Sequence, residues 1–202
     1  MKIRGFTMSI VYSVVAVFGF MSAAPSRMLA QENHTHTIAS NDQNQNSDGN
    51  NELNALIRVV RQATQRFQDV HAAEAAGYFL QFGCVSGPDA GAMGMHFVNL
   101  GLVMDGVLDA TQPEIVLYEP LPNGRLRLIG ADYLVLADAW NATHSSPPQL
   151  MGQLFHLFES PNRFGLPAFY TLHVWAWKES PTGSFVNWHT NVSCNGFNGQ
   201  TP

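Results

Sequence analysis

Alternation of side chains along one aromatic segment near the C-terminus predicts a central β-strand. Residues 165–177 are the densest run of aromatic and β-branched residues in the chain, and these residue types favour strands. Read with a period of two, the segment has two faces, and both are largely apolar. Such a strand is typical of a sheet that is covered on both sides. His173 lies at its centre and, once buried, needs a polar partner or a metal.

A helical period of apolar residues predicts one long helix at the start of the ordered domain. The apolar residues recur at three- and four-residue steps and form one stripe: Leu53, Leu56, Val60, Ala63, Phe67 and Val70. Asn51 is a suitable N-cap, and Gly77 is suited to end the helix after about Ala76. The pattern therefore predicts a helix from about residue 51 to residue 76.

Alternating segments in the middle of the chain predict an antiparallel sheet. Residues 115–119 and Leu126–Leu136 flank the turn signal Pro122-Asn123-Gly124 and predict a hairpin. Residues 93–99 give a further short strand, and residues 185–188 are expected to pair with the aromatic strand. The predicted fold class is α+β, with one long N-terminal helix packed on an antiparallel sheet of four to five strands. Residues between 137 and 163 are expected to form a long irregular connection over a pocket or an end of the sheet.

The first thirty residues have the order of a secretory signal peptide. Lys2 and Arg4 precede an apolar run at residues 8–21, which small residues follow. This run is shorter than the roughly 20 residues that a helix needs to span a bilayer. We therefore expect residues 1–30 to be removed and the protein to be exported, to the periplasm or the medium, without a stable membrane span.

Composition divides the rest of the chain into a leader, one domain and a short tail. Residues 31–51 are polar, which is typical of a disordered linker. Residues 52–197 are expected to form a single α+β domain, and residues 198–202 a C-terminal tail. The formal net charge is −5, and no basic patch follows the predicted signal peptide. This charge pattern excludes nucleic acid as a partner.

The cysteine count predicts one disulfide. Cys84 and Cys194 are the two cysteines of the chain, and an even pair in an exported protein most simply forms one bond. This bond would join the C-terminal end to the start of the domain. The alternative is a pair of free thiols that act as metal ligands.

Two histidines and one carboxylate on separate predicted strands form a candidate metal site. His96 and His173 lie within apolar segments, and Glu119 ends a strand whose face is otherwise apolar. Two imidazoles and one carboxylate suit zinc, iron or copper and leave open positions for solvent or substrate. His156 and His189 are candidate additional ligands. This interpretation favours an exported metal-binding protein. A more specific version of the hypothesis is that the protein is a metalloenzyme.

Each of these residues also has an ordinary structural interpretation. A buried histidine is often a hydrogen-bonded core residue, and Glu119 can pair with Arg125 or Arg127 across its own hairpin. One alternative is a non-catalytic binding module whose aromatic cleft takes an apolar or carbohydrate ligand; its residues would be Phe169, Trp175, Trp177 and Trp188. Another is a structural role in the cell envelope. The pattern favours no particular reaction, substrate or oligomeric state.

Three segments resemble a signature of small exported bacterial proteins of unassigned function. They are residues 93–99, the hairpin 113–133 with its Tyr118-Glu119-Pro120, and residues 165–177, which Cys194 follows. The resemblance spans about residues 55–195. It implies His96, Glu119 and His173 as the positions of interest and implies no particular activity.

Overall fold

The computed structural model describes residues 55–199. The predicted signal peptide (1–30), the polar leader (31–51) and the last residues of the predicted tail lie outside this range. Within it, no helix combines the length and the hydropathy that a membrane crossing requires.

Helical structure at the start of this range is interrupted, although the sequence predicts one continuous helix. Residues 55–64 are α-helical (α1), Gln65–Gln68 form a 3-10 turn, and Val70–Ala75 form α2. Between them Asp69 has an extended backbone (φ −94°, ψ 116°), and its side chain accepts a hydrogen bond from the backbone N–H of His71. Asp69 therefore caps a new helix, because its carboxylate satisfies a donor that would lack a partner at a helix start.

One six-stranded antiparallel sheet forms the centre of the domain, with the order β1-β2-β3-β4-β8-β7. Its strands are β1 (Phe79–Gly87), β2 (Gly91–Val98), β3 (Ile115–Pro120), β4 (Leu126–Leu136), β7 (His156–Phe158) and β8 (Phe169–Val174). The strands β5 (Gln149–Leu150) and β6 (Gln153–Leu154) form a separate pair, and two short helices complete the fold: α3 (Leu100–Asp105) and α4 (Ala137–Asn141). The α+β class is confirmed, and the sheet has one strand more than the upper end of the prediction.

The aromatic strand is an interior strand, but one of its neighbours differs from the prediction. β8 pairs with β4 on one side and with the short β7 on the other. The predicted partner, residues 185–188, forms turns and bends. β8 ends at Val174: the Trp175 N–H donates to the Ser184 carbonyl, and the Trp177 N–H donates to the Ile129 carbonyl of β4 outside the regular pairing.

The two faces of the sheet carry different layers. On one face, Tyr133 and Leu172 pack with Leu56 and Val60 of α1. On the other face lies a second cluster, which includes Ile115, Leu117, Leu134 and Phe169 and which the segment before β8 covers through Phe158, Phe164 and Leu166. This second face also holds the buried polar residues of the candidate site.

The predicted disulfide is confirmed. Cys84 in β1 and Cys194 near the C-terminus are bonded across a sequence separation of 110 residues, with their Cα atoms 5.7 Å apart. Both cysteines are therefore unavailable as metal ligands.

Candidate metal centre

One face of the sheet brings His96, Asp132 and His173 together. Asp132 in β4 lies directly opposite His173 in β8, and residues opposite each other in an antiparallel pair share a face. His96 reaches the same face from β2, where it lies opposite Leu117 of β3. One possible ligand atom from each of the three residues lies within 4.8 Å of the others. The structure therefore contains a buried His-Asp-His group that could hold a metal ion.

The spacing of this group fits one metal ion after small adjustments. A zinc ion binds nitrogen or oxygen at roughly 2.0–2.2 Å, so ligand atoms on one ion lie about 3.5 Å apart. The three atoms are spread at most 4.8 Å from one another. Modest side-chain rotations would therefore close them around an ion.

His173 is the residue with the strongest need for a further partner. It is 2% exposed, and neither of its ring nitrogens makes a hydrogen bond of good geometry to a described residue, although the Asn187 side chain lies close enough to raise its pKa slightly against the larger effect of burial. Its Nδ1 lies 3.5 Å from Asp132 Oδ1, which is too long for a strong hydrogen bond. An unsatisfied buried polar group costs about 1–3 kcal/mol. A metal ion bound to one nitrogen would remove part of this cost.

The Gly94 carbonyl favours the tautomer of His96 that leaves Nε2 free to bind a metal. The Nδ1 of His96 lies 3.2 Å from the carbonyl oxygen of Gly94, and because a carbonyl only accepts, Nδ1 carries the proton. Nε2 then has a free lone pair, and this is the usual arrangement of metal-binding histidines.

Gly94 itself has φ +87°, and a Cβ there would lie 2.6 Å from the Tyr118 carbonyl oxygen. Only glycine therefore fits this close approach of β2 to β3.

Asp132 was not among the residues that the sequence singled out. It is 2% exposed, and Thr171 donates a hydrogen bond from its hydroxyl to Asp132 Oδ1. The sequence feature that could have identified Asp132 is its position as a lone acid in the apolar strand β4. Its neighbours on the same face are Gly130 and Leu134. The same kind of signal selected Glu119 in the preceding strand.

The protonation states of the group suit a cation. Burial raises the pKa of Asp132 to about 6, and the proximity of His96 and the Thr171 hydrogen bond act against this rise. Burial lowers the pKa of His96 to about 4 and that of His173 to about 3. At neutral pH the site therefore has two neutral imidazoles and mainly a carboxylate, which are the forms that bind metals.

Glu119 does not join the two histidines, contrary to the expectation from sequence. Lys178 Nζ lies 2.8 Å from both of its carboxylate oxygens, Arg127 donates to Oε2, and the Ser193 N–H donates to Oε1 at 3.2 Å. Burial alone would raise the pKa of Glu119, but the hydrogen bonds from Arg127 and Lys178 outweigh it and lower the pKa. The alternative interpretation, a pair with Arg127 across the hairpin, is confirmed.

The two additional candidate histidines lie outside the group. His156 is exposed and lies opposite Thr171 at the sheet edge. His189 is fully buried, and its Nδ1 accepts a hydrogen bond from the Asn191 N–H at 3.1 Å. His189 thus organises the C-terminal loop, where its ring also contacts Trp175 edge to face at 5.0 Å.

The four aromatic residues of the predicted cleft do not line one cleft. The Trp177 indole donates to the Thr64 hydroxyl at 2.9 Å on the helix side, and the Trp175 indole donates to the Val186 carbonyl at 2.7 Å. Trp188 lies over Gly87. Phe169 alone among the four lines a cavity at the candidate site, together with Phe82.

This cavity lies directly over the His-Asp-His group. It has a volume of about 30 Å³, enough for one water-sized molecule. His96, Asp132, Thr171 and His173 supply its polar residues, and the rest of its described lining consists of phenylalanine, leucine, isoleucine and methionine.

Glu114, which directly precedes β3, is buried like Asp132 and Glu119, and it predicts a pH-dependent stability. Its Oε2 accepts a hydrogen bond from the Leu134 N–H, its Oε1 has no partner among the described residues, and it is 1% exposed. Burial, with smaller contributions from Asp132 and Asp105, raises its pKa to about 8.

We expect the Glu114→Gln variant to lose a pH dependence that the natural chain has. Above the unfolded pKa near 4.5 the unfolded chain releases this proton, while the folded chain keeps it until pH approaches about 8. The free energy of unfolding should therefore fall as pH rises, by about 1 kcal/mol between pH 7 and 8. Urea unfolding of the natural chain and of Glu114→Gln at pH 7 and pH 8 measures this change in the free energy of unfolding. A natural chain that is equally stable at both values, or a variant with the same slope, would contradict the burial of an uncharged carboxyl.

Comparison of the chain with protein-family models, with curated proteins and with solved structures finds no match. The fold and the site define the class: an α+β protein with one disulfide and a buried His-Asp-His group that could hold a metal. The chemistry of these residues is therefore the basis for assigning a function.

Proposed function

We propose that this chain is an exported metal-binding protein in which His96, Asp132 and His173 hold one divalent transition metal ion. The single observation that carries the proposal is the convergence of these three buried side chains around a histidine whose nitrogens make no hydrogen bond of good geometry in the described structure. Buried polar groups are nearly always paired. A metal ion is the partner that all three residues can share.

The composition of the ligand set favours zinc or iron(II). Two imidazole nitrogens and one carboxylate oxygen are a known set for both ions, and three protein ligands leave open coordination positions. An ion with open positions supplies Lewis-acid chemistry toward water or a small substrate. We therefore extend the proposal to a metalloenzyme.

The surrounding residues have definite tasks in this proposal. The Gly94 carbonyl favours the metal-binding tautomer of His96, and the Thr171 hydroxyl orients the carboxylate of Asp132. Partners of this kind hold ligands in position and strengthen metal binding. The covering aromatic side chains exclude bulk water, which strengthens electrostatic interactions at the site.

Export is the second part of the proposal. It is supported by the signal-like order of residues 1–30 and by the disulfide, since disulfides persist mainly in oxidising compartments. We also propose kinship with the small exported bacterial proteins that the three sequence segments resemble.

A binding module for carbohydrate is less well supported. A cavity of about 30 Å³ is far below the roughly 300–1,000 Å³ of ordinary small-molecule sites.

The test is the metal content of the purified mature protein. After incubation with Zn(II), Fe(II) under anaerobic conditions or Co(II), followed by gel filtration, we expect about one bound ion per chain. Because the ion binds the folded chain, a concentration one hundred times Kd should stabilise it by about 2.7 kcal/mol. A chain that stays metal-free with all three ions, with unchanged thermal stability, would contradict the proposal.

A further inference from the structure

The edge strand β1 contains an irregularity beside the candidate site. Gln81 pairs with His96 and Cys84 pairs with Met95, so Phe82 and Gly83 are extra residues without partners in β2. Insertions of this kind redirect a side chain and are frequent next to active sites. Here the irregularity lies between a neighbour of His96 and a cysteine of the disulfide.

Phe82 holds an unfavourable backbone conformation at this irregularity. Its φ is +63°, in the left-handed region, which costs about 1–3 kcal/mol for a residue other than glycine. The ring of Phe82 lines the cavity over the His-Asp-His group and contacts Phe164 edge to face, with centroids 5.6 Å apart. The strained backbone thus places an aromatic ring over the site.

Phe82 is also the most exposed of the described residues that line the cavity, whereas Phe158, Phe164 and Leu166 are half-buried. Phe82 is 36% exposed, whereas Phe169 deeper in the same wall is 4% exposed. A ring that both lines the cavity and reaches the surface stands at its entrance.

The cavity favours a small and uncharged occupant. Its volume of about 30 Å³ admits a molecule of one or two heavy atoms. No lysine or arginine is among its described lining residues, so no protein cation is available there to hold a bulky anion. Phosphate and carboxylate ligands are therefore excluded by size, and eight of the twelve lining residues are apolar, which favours a ligand of low polarity.

We propose that this cavity is the binding site for an uncharged diatomic ligand, of the class of dioxygen, beside the metal ion, and that the ring of Phe82 sets the size limit for entry. The inference rests on the proposed metal site. It adds the class of ligand and a specificity-determining residue.

The experiment uses the Co(II)-loaded protein, because the visible absorption of Co(II) changes when a further ligand binds. The two probes are nitric oxide, an uncharged diatomic molecule, and imidazole, an uncharged planar ring. Both cysteines are in the disulfide, so nitric oxide has no thiol in the described structure to modify.

The variants are Phe82→Gly, which removes the ring and relieves the positive φ, and Phe82→Ala. Phe79→Ala is the matched control, since Phe79 lies on the same strand, is 57% exposed and is not among the lining residues.

We expect the natural chain and Phe79→Ala to respond to nitric oxide and not to imidazole. Phe82→Gly should respond to both. Its Kd for imidazole should lie at least about tenfold below the lower limit that the titration sets for the natural chain. Phe82→Ala should show the same gain at some cost in thermal stability. The inference is overturned if nitric oxide leaves the spectrum of the natural chain unchanged, or if imidazole binds the natural chain as tightly as Phe82→Gly. A chain that binds no Co(II) overturns the proposed function as well, so the two failures are distinguishable.

Discussion

Replacement of His173 by leucine is expected to stabilise the metal-free protein and to abolish its metal binding. Leucine has a similar volume and removes two buried nitrogens that make no hydrogen bond of good geometry in the described structure. Their removal should raise the free energy of unfolding by about 1–3 kcal/mol. Loss of a residue that only hydrogen-bonds a metal ligand lowers metal affinity by roughly 10–100-fold. Loss of His173, a ligand itself, should lower it by more.

The measurement is urea unfolding in the presence of a chelator, together with a Zn(II) titration of the same protein. His144→Leu is the control, because His144 is exposed and stacks on Trp140 away from the group. It should change neither quantity greatly. A less stable His173→Leu variant would show that the fold itself needs the imidazole, and unchanged metal binding would remove His173 from the site.

Removal of the disulfide is expected to have the largest effect on stability. The bond closes a loop of 110 residues, and in the chain-entropy model a loop near this length contributes about 4–5 kcal/mol. It also ties the edge strand β1, which carries Phe82, to the C-terminal segment. The Cys84→Ala/Cys194→Ala variant should therefore unfold at lower urea concentration than the natural chain.

Treatment with a reductant provides the control for this prediction. It should destabilise the natural chain to about the level of the double variant and leave the double variant unchanged. Equal stability of the natural chain and the double variant would contradict a structural role of the bond.

Much of the sheet could be predicted because its signals are local. The aromatic strand has two apolar faces, and the β3–β4 hairpin has an Asn-Gly turn between alternating segments. The strands at the edges gave weaker signals. β1 contains the two unpaired residues Phe82 and Gly83, which break its alternation, and β7 has three residues.

The helix break at Asp69 could not be predicted from the apolar stripe. The stripe continues through the 3-10 turn, where Phe67 is buried, so its period does not mark the interruption. The competing signal was Asp69 itself, whose carboxylate is a good N-cap.

The candidate site was predicted in part, for reasons of register. His96 and His173 lie in apolar strands, and this pattern selects them directly. Glu119 and Asp132 are both acids within apolar strands of one hairpin, and periodicity does not distinguish them. The pairing of β4 with β8 distinguishes the two acids, because it places Asp132 opposite His173. Lys178, which neutralises Glu119, comes from a segment whose path the sequence pattern does not give.

The central claim is tested most directly by the metal content of two isosteric variants, Asp132→Asn and Glu119→Gln. Each removes one buried negative charge, but only Asp132 belongs to the His-Asp-His group. After loading with Zn(II) and gel filtration, the natural chain and Glu119→Gln should each retain about one ion per chain, and Asp132→Asn should retain almost none. Retention of zinc by Asp132→Asn together with its loss from Glu119→Gln would contradict the site, as would a natural chain that binds none.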